Sequence, residues 1–126
     1  MEDESPVIRK LGAFFIEHLR DKALRQHLMM HSGRLKGKGA MQLQARLASL
    51  PPEDKALIME IVTDVLDTAL HDLLFAFQEA HDHREGIELV VDEKSPAAIS
   101  GMLHGEIFGP KGWISNFSEF GPHKEK

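Results

Sequence analysis

Cysteine and tyrosine are both absent from the 126-residue sequence, and aromatic residues make up only 6% of it. Without cysteine the chain can form no disulfide, no thiolate zinc site and no cysteine nucleophile, and we expect a cytoplasmic protein. Without tyrosine the chain also offers few side chains on which nucleic-acid bases could stack. These absences argue against several classes of enzyme and against nucleic-acid binding.

Long hydrophobic runs are missing as well. No apolar stretch approaches the roughly 20 residues needed to cross a bilayer, because acidic residues interrupt each candidate. The N-terminal sequence MEDESP is acidic, unlike the basic start of a signal peptide. We therefore expect no membrane segment. The length predicts a single domain over residues 1–126, with residues 1–5 and 121–126 flexible at its ends.

Positive and negative charges are separated along the chain, whose net charge is −5. Residues 1–50 carry nine Lys/Arg and five Asp/Glu, a net charge of +4. Residues 51–93 carry two Lys/Arg and twelve Asp/Glu, a net charge of −10. Such a segment repels nucleic-acid phosphates and attracts a basic protein. A solvated helix face has the same composition, so charge alone leaves both interpretations open.

Helix signals dominate the first two thirds of the chain. A first helix is predicted over residues 6–32, because Ser5 is a good N-cap, Pro6 suits the first helical position and Gly33 is placed to end it. A short second helix is predicted over residues 39–49, after a basic, glycine-rich loop. The first helix has an apolar stripe at helical spacing, made of Val7, Leu11, Phe14 and His18 beside Ile8, Phe15 and Leu19.

A long third helix is predicted from residue 52 to residue 82, after the helix-start sequence LPPED. Apolar residues recur along it in pairs: Leu57/Ile58, Ile61/Val62, Val65/Leu66, Ala69/Leu70 and Leu73/Leu74. The pairs repeat every four residues while the helix repeats every 3.6, so each pair is turned about 40° from the one before. We therefore expect neighbours on two sides of this helix.

The spacing of the apolar residues changes after Gly86. Residues 87–91 alternate in polarity, which predicts a strand, and residues 106–108 and 113–117 flank a Gly-Pro-Lys-Gly loop, which predicts a hairpin. The predicted fold class is therefore α+β, mostly helical. It has a three-helix N-terminal core with a long central helix, followed by a small C-terminal antiparallel β-meander of about three strands. The residues expected to fill the sheet face are Trp113, Phe108 and Phe117.

A polar row runs along the other face of the long helix. It consists of Glu60, Asp64, Asp67 and His71, whose spacing of i, i+4, i+7 and i+11 places them on one line. A row of carboxylates on a rigid helix steers a cationic partner towards it. We expect a basic protein to bind through Glu60, Asp64, Asp67, Asp72, Glu79 and Asp82.

In size, charge and layout the chain resembles the small, acidic, cysteine-free immunity proteins and antitoxins of bacteria. The resemblance implies a non-enzymatic protein-binding module, most concretely an inhibitor that docks a basic partner, such as a toxin, through its acidic helix. No motif assigns the chain to a named family. We predict no catalytic residue and no cofactor.

Two other functions stay open. The stretch HDLLFAFQEAHDH places His71, His81 and His83 close to carboxylates, and these would be the ligands of a small metal-binding protein or metal-dependent enzyme. His27 and His31 also have the i, i+4 spacing at which two side chains of one helix can share a metal ion. A homodimeric structural or regulatory domain is the other possibility, because the winding apolar stripe leaves surface for a second copy.

Overall fold

The structure, a computed structural model, describes residues 5–122 and confirms that the chain is mostly helical. It opens with a continuous helical run made of α1 (Pro6–Phe15), a π-helical segment (Ile16–Asp21) and α2 (Lys22–His31). The elements that follow are α3 (Lys38–Ala48), α4 (Pro52–Asp82), α5 (Pro96–Ser100), a 3₁₀ turn (Leu103–Glu106) and α6 (Trp113–Phe117). Most of the predicted flexible ends, residues 1–5 and 121–126, lies outside the described residues.

The π-helical segment keeps one face of the first helical run in contact with the core. Val7 and Leu11 are buried at a spacing of four, but the next large buried side chain is Ile16, five residues after Leu11. Ile16 also follows the buried residues Ile8 and Gly12 at the regular spacing of four, and the π-helical turn, which closes its hydrogen bonds five residues apart instead of four, lies between Ile16 and Asp21. Arg20 and Leu24 then follow as buried residues at a spacing of four.

The same segment makes part of the predicted apolar stripe wrong. His18 and Leu19, which a regular helical period places in the stripe, are exposed, and so is Phe14, which precedes the segment. The buried side chains at this level are instead Arg20 and Asp21. One additional residue in the helix turns every later position by about 100° relative to the earlier ones. The sequence pattern alone contains no sign of that additional residue.

α4 is a single helix of 31 residues, and it has two apolar rows. The second members of the predicted pairs are partly or fully buried, and we call them the inner row: Ile58, Val62, Leu66, Leu70 and Leu74. The first members are all exposed, and we call them the outer row: Leu57, Ile61, Val65, Ala69 and Leu73. Within the described chain, neighbours therefore cover the apolar surface of α4 on one side and not on two.

The predicted C-terminal β-meander is wrong, because residues 5–122 contain no sheet. The alternating residues 87–91 form an extended segment, and the β-bridge at its end joins Val91 to Lys94 in a tight turn. Val90 is exposed while Leu89 packs against the core. The alternation therefore reflects a chain that lies on the surface with one side facing inwards, and no second strand in the described part pairs with it.

The predicted hairpin is a 3₁₀ turn followed by the short helix α6. Gly109 has a φ of 89°, and a Cβ atom on Gly112 would overlap the carbonyl oxygen of Phe108. The backbone N–H of Ile114 donates to the carbonyl oxygen of Ile107 at 3.1 Å, so α6 folds back onto the preceding turn. Both glycines serve a tight reversal of the chain, which a helical turn requires as much as a hairpin does.

The hydrophobic core joins α1 and the π-helical segment to the second half of α4 and the C-terminal elements, and does not lie among three N-terminal helices. Its buried residues are Ile8, Leu11, Ile16, Leu70, Leu74, Ala97, Leu103, Ile107, Trp113 and Ile114. Trp113 is buried against Gly12 and Phe117 is partly buried, whereas Phe108 is exposed. Of the helices in residues 5–122, none has both the length and the apolar character needed to span a membrane.

Candidate functional site

An open groove of about 760 Å³ lies between α4 and the C-terminal part of the chain. Its α4 wall contains the predicted polar row, Glu60, Asp64, Asp67 and His71. Its opposite wall includes Phe108, Ile114 and Ser115. We call this site the acidic groove. Because the four polar positions lie on one line of the helix, α4 brings them together along one wall. The volume of the groove is in the range of ligand-binding sites.

Asp67 is paired with a buried arginine of the same chain. The Nε atom of Arg20 donates to Oδ1 of Asp67 at 2.6 Å, and Nη2 donates to Oδ2 at 3.3 Å. The Arg20 side chain is only 1% exposed. Its Nη1 also donates to the hydroxyl of Ser118 at 3.1 Å and to the carbonyl oxygen of Gly121 at 3.0 Å. A buried guanidinium requires such acceptors, so the charge of Asp67 is compensated within the fold.

Asp21 anchors the C-terminal part of the chain. Its Oδ1 accepts from the hydroxyl of Ser118 at 2.7 Å, and its Oδ2 accepts from the backbone N–H of Glu119 at 2.9 Å. Arg20 and Asp21, consecutive in the π-helical segment, therefore hold residues 118–121 together beside α4. Sequence reasoning missed both residues, because an Arg-Asp pair in a helix is ordinarily solvated and the π-helical turn that buries this one leaves no mark in the pattern.

Asp64 supplies an uncompensated charge to the acidic groove. Its side chain is exposed, and no hydrogen bond or ion pair joins its carboxylate to another residue between 5 and 122. Glu60, one turn earlier, is half-buried and lines the same wall. The exposed carboxylate of Asp64 on a concave surface creates a local negative potential that favours a cation.

Aromatic rings lie beside the carboxylates. The ring centroid of His71 is 6.5 Å from that of Phe108 and 5.2 Å from that of His104, and Phe75 lies 4.9 Å from His104. Nδ1 of His71 is 3.1 Å from Oδ1 of Asp72. The buried Nδ1 of His104 has no hydrogen-bond partner in the described chain. Phe108 is 47% exposed, so a ring surface is open to a bound group.

The other three predicted partner-binding residues lie outside the acidic groove. Asp72 is exposed on the same helix. Glu79 forms an ion pair with His83, whose Nε2 is 3.2 Å from Oε1, and Asp82 accepts from Nε2 of Gln78 at 3.1 Å. These three residues extend the negative charge of α4 towards its C-terminus without joining a common site.

The three histidines predicted as metal ligands are not brought together. His71 lines the acidic groove, His81 has its Nδ1 2.6 Å from Oε2 of Glu88, and His83 faces Glu79. The hydrogen bond from His81 lowers the pKa of Glu88 below its ordinary value of 4.5. In the part of the chain that the structure describes, no three His, Asp or Glu side chains are close enough together to hold a metal ion.

His27 and His31 do face each other across one turn of α2. Their Nε2 atoms are 2.9 Å apart and their rings are almost perpendicular, at 78°. One ring must donate and the other accept, so the contact requires at least one neutral imidazole. Burial and, in second place, the charge of His31 lower the pKa of His27. Two imidazoles are fewer than the three or four protein ligands of an ordinary zinc site.

The acidic groove presents an exposed carboxylate and an exposed aromatic ring, but its serine hydroxyl is not arranged for nucleophilic attack. The Ser115 hydroxyl donates to the carbonyl oxygen of Gly109 at 2.9 Å, and no serine between residues 5 and 122 is hydrogen-bonded to a histidine. Carboxylates and exposed aromatic faces together bind guanidinium and ammonium groups. Comparison of this chain with protein-family models, with curated proteins and with solved structures gives no match.

Proposed function

We propose that this protein is a non-enzymatic protein-binding module that holds a basic segment of its partner in the acidic groove. The observation that carries the proposal is the exposed carboxylate of Asp64, unpaired within residues 5–122, in an open groove that also contains Glu60 and the exposed ring of Phe108. An arginine or lysine of the partner would pair with the carboxylate of Asp64 and pack on the ring of Phe108. An immunity or antitoxin-type inhibitor of a basic protein is the class that fits this mode of binding best.

In this mechanism Asp64 and Asp67 have different roles. Asp64 forms the direct ion pair with the partner, because its carboxylate is exposed. Asp67 positions the site, because both of its oxygens accept from Arg20 and the pair links α4 to the π-helical segment. Docking therefore depends on fewer direct contacts than the six carboxylates of the predicted surface.

The remaining acidic residues of α4 act at longer range. Asp72, Glu79 and Asp82 lie outside the groove, but they belong to the segment 51–93, whose net charge is −10. A field of this kind raises the association rate of a cationic partner more than it stabilises the final complex, and salt screens it.

A simple basic peptide tests the proposed site directly. The probe is a fluorescein-labelled peptide of alternating arginine and glycine, and its dissociation constant is measured by fluorescence anisotropy. We expect Asp64→Asn to raise that constant by about 5- to 10-fold, as expected for one lost charge-assisted contact. The variant should also show a weaker dependence of affinity on salt.

Asp54→Asn is the matched control, because it removes the same charge from an exposed position on the same helix that does not line the groove. We expect it to change the dissociation constant by less than about 2-fold, since it acts only through the screened field. Equal weakening by the two substitutions would mean that the peptide senses only the net charge of α4. That result, or an unchanged constant for Asp64→Asn, contradicts the proposed site.

A further inference from the structure

The histidine pair of α2, His27 and His31, lies apart from the carboxylates that occupy other histidines. Within residues 5–122 neither imidazole forms an ion pair, whereas His71, His81 and His83 each face an aspartate or a glutamate. In the described chain the two Nε2 atoms face only each other, at 2.9 Å. Both rings are partly exposed, so an ion from the solvent can reach them.

Only one proton can lie between the two Nε2 atoms. One ring donates that proton, and the other ring accepts it with its lone pair. A metal ion in the same place would receive a lone pair from each nitrogen, and the donating ring would carry its proton on Nδ1 instead. When both imidazoles are neutral, two coordination bonds therefore form without the loss of a proton from the pair.

The separation of the two nitrogens fits two neighbouring ligands of one metal ion. Imidazole nitrogens bind zinc and similar first-row ions at about 2.0–2.1 Å, so two that bind at right angles lie about 2.9 Å apart. At the tetrahedral angle the same bonds would place the nitrogens about 3.4 Å apart. The separation of 2.9 Å between His27 and His31 matches the right angle, which is the angle between neighbouring ligands in octahedral and tetragonal complexes.

The positions of the two rings agree with that geometry. A ring centroid lies about 1.1–1.2 Å behind its Nε2 atom, so two imidazoles bound at right angles to one ion have centroids about 4.5 Å apart. Two rings that point straight at each other across a hydrogen bond of this length would have centroids about 5.2 Å apart. The centroids of His27 and His31 are 4.5 Å apart. Each ring is therefore inclined to the line between the two nitrogens, as binding to a shared ion requires.

We propose that His27 and His31 form a two-histidine site for a divalent transition-metal ion whose ligands stand at right angles, such as Ni²⁺ or Cu²⁺. Water takes the remaining coordination positions, because both rings are partly exposed. Two imidazoles on one helix bind an ion more tightly than two independent ones, since the second bond forms within one molecule. The rings already have the required separation, so little side-chain freedom is lost on binding.

The position of the site gives it an effect on the fold. α2 ends at His31, so an ion held by His27 and His31 links the last two turns of this helix just before the loop that leads to α3. The two rings are brought together only when α2 is helical, so the ion stabilises the folded state. The site uses none of the residues that line the acidic groove, and it therefore does not depend on the proposed function.

Isothermal titration calorimetry with Ni²⁺ tests the site in the full chain without a polyhistidine tag. We expect one ion per chain, and we expect His31→Gln to weaken binding by at least about 10-fold, because a single imidazole cannot chelate the ion. Ni²⁺ should also raise the melting temperature of the unmodified chain but not that of His31→Gln. Far-ultraviolet circular dichroism without metal checks that the variant is folded, which is expected because glutamine is a good helix former.

His18→Gln is the matched control, because it removes an exposed histidine from the same helical run. Its affinity for Ni²⁺ should stay within about 2-fold of that of the unmodified chain, and so should the affinity of Asp64→Asn, since both positions are distant from the pair in sequence and surface. Equal weakening by His31→Gln and His18→Gln would mean that Ni²⁺ binds single histidines adventitiously. That result overturns the proposal, and so does the absence of binding with one ion per chain.

The visible absorption spectrum of bound Co²⁺ tests the right-angle geometry. Ligands at right angles give Co²⁺ a weak band, whereas a tetrahedral site gives a strong band at longer wavelength, so the spectrum reports the coordination geometry. We expect a weak band that is shifted from that of free Co²⁺, and we expect the shift to be lost in His31→Gln. A strong tetrahedral band in the unmodified chain would overturn the assigned geometry.

Discussion

Asp64 and Asp67 lie one turn apart on α4 and share the same chemistry, yet Asp64 is exposed whereas Asp67 is paired with Arg20. The sequence correctly places both on one polar row, since that depends only on the helical repeat. It cannot show that Asp67 is paired, because its partner Arg20 is 47 residues away in sequence and reaches it through a tertiary contact. Which of the two carboxylates is paired therefore depends on how α4 packs against the rest of the chain, and the spacing of residues along α4 does not specify that.

The histidine pair of α2 predicts a dependence of stability on pH. The pKa of His27 is lowered in the folded protein, first by burial and then by His31, so the unfolded chain binds more protons below the ordinary pKa of 6.5. The free energy of unfolding should therefore decrease as pH falls through and below that value. In His27→Gln this part of the dependence is lost, and thermal unfolding at a series of pH values between 8 and about 5 measures it.

His18→Gln is the comparison for that experiment. His18 is an exposed histidine of the same helical run, and within residues 5–122 it is not paired with a second histidine. The part of the pH dependence that comes from the contact between His27 and His31 should remain in His18→Gln, because that contact is intact in this variant. If His27→Gln retains the full pH dependence, the contact between the two rings does not contribute to it.

Among the secondary-structure elements, those with a long repeating pattern of apolar residues could be predicted best from the sequence. α4 could be predicted to the residue because its apolar pairs recur over many turns. The segments 87–91 and 113–117 are too short for their period to identify them, and an exposed extended chain alternates in polarity as a strand does. The π-helical segment could not be predicted, because it breaks the period on which helix prediction depends.

Two glycine-to-alanine substitutions should show how differently two helices are packed. A Cβ atom at Gly12 would overlap the ring of Trp113, so Gly12→Ala should destabilise the protein by about 1–3 kcal/mol through overpacking. Gly39 lies in α3, and a Cβ atom added there would meet no other atom within 4 Å, so Gly39→Ala should stabilise the protein by about 0.5–1 kcal/mol. Urea unfolding of the two variants measures both effects, and effects of the same sign would contradict the close contact of α1 with α6.

At the scale of the whole molecule, three distant parts of the chain meet at one hydrogen-bond network. Arg20 and Asp21 come from the π-helical segment, Asp67 comes from α4, and Ser118 lies beyond α6. The network holds Asp67 in place in the wall of the acidic groove. The segregation of charge along the sequence led us to expect a basic partner at α4, but it could not show that Arg20, a basic residue of the N-terminal half, pairs with Asp67 there.

Asp67→Asn should therefore affect stability far more than Asp64→Asn. Removing the charge of Asp67 leaves the buried guanidinium of Arg20 without its ion pair, and we expect a loss of about 2–4 kcal/mol in the free energy of unfolding. Asp64→Asn changes an exposed position and should stay within about 0.5 kcal/mol. Denaturant unfolding of the two variants is the measurement. Similar losses in the free energy of unfolding would show that the ion pair between Arg20 and Asp67 does not stabilise the fold.

The π-helical segment also limits how the chain can vary in length. The segment already takes up one additional residue, so inserting another residue before Ile16 would turn Arg20 and Asp21 about 100° relative to the preceding helix. Both residues would then leave the network that holds Ser118. Insertions are thus compatible with the exposed loop between α2 and α3, but not with this part of the first helical run.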